Sequence, residues 1–102
     1  MRESKFSEAM RENQWTRAAG TAPDSVVFRD VSRLWALIVV PSKGRVRVSL
    51  LGPSMLPSGF PVPADLAVES SEAGPFGWPS TAAAMLARNG FILLTNNRRK
   101  AA

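Results

Sequence analysis

Few side chains here can do covalent chemistry. None of the 102 residues is Cys or His. That removes thiol nucleophiles, imidazole bases, disulfides and zinc sites built on those ligands. Carboxylates remain, but Asp65, Glu69 and Glu72 fall in an irregular stretch, where solvation is expected rather than a paired acid and base. No glycine-rich phosphate loop or dinucleotide fingerprint is present. What the chain does hold is cationic chemistry: 13 Lys and Arg against 8 Asp and Glu, a formal charge of +5. The cations are unevenly placed, with none between Arg47 and Arg88. A basic surface favours anionic partners such as nucleotides, nucleic acid or a membrane face. Residue chemistry therefore points to binding, and the expectation is a protein that is not an enzyme and uses no cofactor.

One short box needs weighing against that expectation. Ser54-Met55-Leu56-Pro57, preceded by Gly52-Pro53, resembles the Ser-Met-x-Pro box of signal peptidase and LexA-like Ser/Lys peptidases. Such a serine needs a lysine desolvated enough to act as its base. The only lysine after Ser54 is Lys100, next to Arg98 and Arg99 in a basic tail, where its amine stays protonated. The box reads as a proline-bounded turn.

The elements that must position the cations are organised around one hairpin. Leu34-Trp35-Ala36-Leu37-Ile38-Val39-Val40 and Arg45-Val46-Arg47-Val48-Ser49-Leu50-Leu51 flank Pro41-Ser42-Lys43-Gly44, a pattern expected to form a type I turn closed by a glycine at positive φ. The second arm alternates and predicts a half-buried strand, with Arg45, Arg47 and Ser49 facing out. The first is apolar throughout and should be covered on both faces, by a helix or by a second subunit.

Before the hairpin, residues 4–14 predict an amphipathic helix capped by Ser4, with Phe6, Ala9 and Met10 on its apolar face. Residues 15–24 read as a connection and Ser25 to Val31 as a strand. After it, residues 52–79 hold most of the prolines and read as a long packed excursion, with a possible strand at Leu66-Ala67-Val68. Ser80 to Gly90 predicts a helix capped by Ser80 or Thr81 and ended by Gly90. Phe91 to Thr95 predicts a last strand. The expected fold is α+β: a small antiparallel sheet on the central hairpin, an N-terminal helix, and a late helix followed by a strand. One domain is expected over 1–95, with a basic tail at 96–102. No apolar run reaches the roughly 18 residues of a membrane span, and the charged N-terminus lacks a signal core, so a cytoplasmic protein without membrane contact is expected.

Three segments together resemble the second class of phage-encoded Thoeris anti-defence proteins, which act as cyclic-nucleotide sponges. Phe6-Ser7-Glu8-Ala9-Met10 is similar to the family's opening Phe-x-Glu-Ala-Leu helix. Trp15 to Gly20 is similar to its short basic segment, and Leu34 to Ser42 to its apolar strand running into a proline turn. Trp78, Thr81 and Met85-Leu86-Ala87 fall at the spacing of its closing Trp-x-x-Ser-x-x-Asp-Met-Leu-Ala stretch. Ala84, Asn89 and Gly90 stand where the family has Asp, Asp and Trp.

The resemblance implies a homo-oligomer, dimeric or tetrameric, that captures a cyclic ADP-ribose isomer at a subunit interface without cleaving it. In the host cytoplasm it would act as an anti-defence protein. An adenine ring calls for an aromatic face, a pyrophosphate for arginines. The candidates are Phe6, Trp15 and Trp78 for stacking, Arg17 and Arg88 for phosphate, and Thr81 and Asn89 for ribose or phosphate hydrogen bonds. Plain core packing is an equal alternative for Phe6 and Trp78. Two other functions stay open. One is a basic nucleic-acid-binding or regulatory module using Lys43, Arg45 and Arg47; the other is a protein-interaction inhibitor of a host defence system.

Overall fold

In a computed structural model, residues 2–19, 24–31, 35–52 and 67–91 are described. The order is α1 (Glu3–Glu12), β1 (Thr16–Ala19), β2 (Val26–Arg29), β3 (Ala36–Ser42), β4 (Arg45–Leu51), β5 (Glu69–Ala73) and α2 (Trp78–Arg88). The five strands form one antiparallel meander in the order β1-β2-β3-β4-β5. The expected α+β fold is observed, with the hairpin at the centre of the sheet.

The pleat sorts side chains onto two faces. Phe28, Leu37, Val39, Val46, Val48 and Leu50 project to the side covered by both helices, where they meet Phe6, Met10, Trp78, Ala82, Met85 and Leu86. Phe6 is fully buried at the centre of this layer, edge-on to Phe28 (5.5 Å between centroids) and to Trp78 (5.4 Å). On the other face Val27, Ala36, Ile38 and Leu51 form a second buried cluster. β3 is thus apolar because it is covered on both sides, as its composition requires. Its second face, with Ile38 1% exposed, is already sheltered within one copy of the chain. Burial of β3 therefore gives no reason to invoke a second subunit.

Both helices leave by the same device. At the end of α1, Gln14 N–H bonds to the Arg11 carbonyl and Trp15 N–H to that of Met10 (3.0 and 2.8 Å). At the end of α2, Gly90 N–H bonds to Ala87 and Phe91 N–H to Leu86 (3.2 and 2.9 Å). These are Schellman closures, with the residue after the cap in the left-handed region: Gly90 at φ 91°, as the sequence predicts, and Gln14 at φ 68°. Each helix has an asparagine at its C-cap, Asn13 and Asn89, whose side-chain amide donates to the carbonyl four residues back (2.7 and 2.8 Å). Each then places an aromatic residue next. Those two rings, Trp15 and Phe91, meet edge-on at 5.4 Å, and Trp35 packs on Phe91 from the start of β3 at 5.2 Å.

Several local expectations are corrected. The hairpin turn is tighter than a four-residue loop: Ser42 pairs with Arg45, leaving only Lys43 (φ 51°) and Gly44 (φ 79°) as a type I′ turn. That geometry matches the strand twist, whereas type I would splay the arms. Residues 16–19, expected within a connection, form β1, because they continue the ladder on β2 from Thr16↔Arg29 to Ala19↔Val26. Neither helix has the expected cap. Arg2 is the N-cap of α1 and Gly77 that of α2, neither with a side-chain cap bond, and Pro79 opens α2 ahead of Ser80 and Thr81. The strand expected at Leu66-Ala67-Val68 falls instead at Glu69–Ala73, after a first backbone bond from Val68 N–H to the Leu50 carbonyl (2.8 Å). The Ser54 box, Asp65, Leu66, the strand residues 92–95 and the tail lie outside the described residues, as does Gly20.

Removing the central ring should unmake this layer. Phe6→Ala is expected to cost about 3–5 kcal/mol in chemical denaturation. Phe76→Ala, at a ring 92% exposed, should stay within about 0.5 kcal/mol of the parent. A loss below 1 kcal/mol for Phe6→Ala would contradict the packing described.

Candidate functional site

Among the described residues an open cleft of about 1050 Å³ runs along α1 and β1. Its walls are the polar face of α1 (Ser4, Ser7, Glu8, Arg11), the exit turn (Gln14, Trp15), the start of β1 (Thr16, Arg17) and the end of β2 (Arg29, Asp30, Val31). Its upper size matches that of small-molecule sites. Three arginines and the carboxylates Glu8 and Asp30 share the lining, and Arg17 is paired with Glu3 beside it.

Local structure explains why these side chains converge. The Schellman exit turns the chain back from α1 into β1, so residues four to fourteen apart in sequence share one wall. Arg17 sits opposite Phe28 in the β1–β2 register, on the helix side of the sheet. Its guanidinium lies 5.9 Å from the Phe28 ring centroid, a distance that supports a cation–π contact. It also donates to Glu3 Oε2 (3.2 Å) and Ser7 Oγ (3.3 Å) and is about half exposed. Asp30 closes the β2–β3 connection: its Oδ1 accepts from Trp35 N–H, and its own N–H donates to the Trp35 carbonyl, both at 3.2 Å.

The seven residues nominated from the sequence divide into three places. Trp15 and Arg17 line the cleft, although Trp15 is 5% exposed and offers an anion or a ring little more than an edge. Phe6 and Trp78 are core residues packed on each other. Both are buried, so neither presents a face for stacking a ligand. Arg88 and Asn89 sit at the far end of α2, with Thr81 two turns earlier on the same side as Arg88, its hydroxyl 3.5 Å from the Gly77 carbonyl. Four inter-strand steps separate the β1 edge from the β5 edge, roughly 19 Å. Arg17 and Arg88 therefore cannot grip one small ligand within a single chain.

Arg88 and Asn89 have a structural partner. Arg88 donates through both Nε and Nη2 to Glu69 Oε2, and Asn89 Nδ2 donates to Glu69 Oε1 (3.0 Å) as well as to Met85 O. This ties the end of α2 to the edge strand β5. The hydrogen bond from Arg88, aided by that of Asn89, holds the Glu69 carboxyl below its ordinary range, and the Arg88 guanidinium is raised in turn by Glu69.

Arg11, Arg29, Ser7 and Gln14 were not singled out from the sequence. Ser7 and Arg11 lie on the polar side of α1, Gln14 in its exit turn and Arg29 at the end of β2, and no sequence motif joins them.

No protein-family model matches this chain, and no curated protein or solved structure matches it either. No helix among the described residues is long and apolar enough to cross a membrane.

The Glu69 clamp has a pH signature. Glu69 is lowered in the folded state, so its contribution is complete above the ordinary glutamate value and is lost as pH falls through the lowered one. The stability gap between the parent and Glu69→Gln should be steady near neutrality and close progressively under acid in parallel denaturation series. A gap that widens on acidification would contradict the assignment.

Proposed function

We propose that the protein is a non-enzymatic sponge that captures a small phosphate-bearing nucleotide signal, of the cyclic ADP-ribose type, in the α1–β1 cleft. The reading is carried by one observation: Arg11 and Arg17 line a single open cleft beside Ser4 and Ser7, and Arg29 and Thr16 join its lining from the other face of the sheet. Guanidinium groups bind phosphate oxygens through paired, charge-assisted hydrogen bonds, and a pyrophosphate can engage more than one of them. The ligand class comes from the resemblance to the Thoeris anti-defence sponges. Of the residues that the resemblance nominated, the proposal keeps Arg17 and the edge of Trp15 and assigns Phe6, Trp78, Arg88 and Asn89 to the framework.

The cleft runs along β1, the end strand of the sheet among the described residues, and an end strand offers backbone groups for pairing. A second copy docking on that edge would close it over the ligand, and this is the form of homo-oligomer we propose. It uses the sheet edge, not the buried face of β3.

The test is a melting and mass-spectrometric assay with cyclic ADP-ribose and its linkage isomers. A saturable rise in melting temperature is expected, with the ligand recovered intact after heat release. Arg17→Ala should weaken binding by roughly 10-fold or more, the scale of one lost hydrogen bond to a charged group. No shift at millimolar ligand, or recovery of a cleaved product, would overturn the proposal.

A further inference from the structure

The β3–β4 hairpin runs past its neighbours. β2 pairs with β3 only from Ala36 to Val39, so among the described residues Val40, Pro41 and Ser42 have no strand on that side. On the other side β5 reaches no further than Val46. The β3 side is therefore clear of β2 over about 10 Å, at roughly 3.4 Å per residue, and the Ser42–Arg45 pair with its turn is clear of both neighbouring strands. The hairpin tip carries Lys43 in the turn and Arg45 and Arg47 on β4, all three exposed. Because Val46 and Val48 point into the helix-covered core, Arg45 and Arg47 share the opposite face. Glu72 stands across from Arg47 in register. Even so, among the described residues none of the three cations forms an ion pair.

We infer that this tip is a contact surface for duplex nucleic acid, separate from the α1–β1 cleft and independent of its ligand. A duplex presents two rows of phosphates along each groove, and exposed Lys and Arg neutralise them whatever the base sequence. Residues i and i+2 on a strand lie about 6.8 Å apart, so Arg45 and Arg47 reach separate phosphates while Lys43 leads at the tip. The contact is electrostatic: nothing on the tip reads bases through a bidentate amide, and sequence preference should be weak.

Fluorescence anisotropy of a labelled 20-base-pair duplex across a salt series tests this. The parent should bind with a logarithmic salt slope that the triple variant Lys43→Asn/Arg45→Gln/Arg47→Gln reduces by roughly 2–3, at about 0.9 per phosphate contact. Asn tolerates the left-handed turn position, which keeps the hairpin closed. Arg47→Gln alone leaves the turn untouched and should lower the slope by about 1. Lys5→Gln, an exposed cation on α1, should leave it unchanged. Absence of duplex binding by the parent would overturn the inference. So would equal slopes for parent and triple variant, or a hairpin-dependent attachment to anionic lipid vesicles without duplex binding. Ligand capture in the cleft is read separately by its melting shift, so the two proposals fail independently.

Discussion

The fold depends on one contact, the burial of Phe6 between Phe28 and Trp78. It is where the first helix, the sheet and the last helix meet, and its three rings come from residues far apart in the chain. With both helices on the same face, the sheet is a two-layer α+β unit whose second face buries its own aliphatic cluster. The two Schellman exits add a second tie: each helix ends by delivering an aromatic ring, and Trp15 against Phe91 links the ends together while Trp35 links them to β3.

This use of aromatic residues bears directly on function. A chain with few large rings spends Phe6, Trp15, Phe28, Trp78 and Phe91 on holding helices to a sheet, and the proposed binding rests on cations instead. Those occupy three separate places: the α1–β1 cleft, the protruding hairpin tip, and the clamp from Arg88 to Glu69. Arg88 is paired with Glu69 in the clamp, and Arg17 with Glu3 beside the cleft. The cleft combines guanidinium groups with hydroxyls on rigid elements, the arrangement suited to holding an anion in place.

The hairpin was legible because its arms carry period-two or wholly apolar patterns, and α2 was legible from its alanines and from Gly90. β1 was not, since Thr-Arg-Ala-Ala has no strand pattern and is held by its ladder to β2. The strand Glu69–Ala73 is similarly polar and sits at a sheet edge, where backbone pairing with β4 and one Ser49–Ser70 hydroxyl contact (3.0 Å) replace hydrophobic burial. Gln14 hid the end of α1 because a non-glycine residue occupies the left-handed position. The cleft was half visible: Trp15 and Arg17 could be named from their types, whereas Arg11 and Arg29 join them only through the turn and the strand register. Phe6 and Trp78 illustrate the opposite error, where an aromatic residue suited to stacking is consumed by the core.

Mapping the ligand directly on the folded protein decides the matter. In a ¹H–¹⁵N titration with cyclic ADP-ribose isomers, the account predicts amide shifts concentrated at Ser7, Arg11, Thr16, Arg17, Arg29 and Asp30. Shifts centred on Thr81, Arg88 and Asn89, or none at saturating ligand, would contradict it.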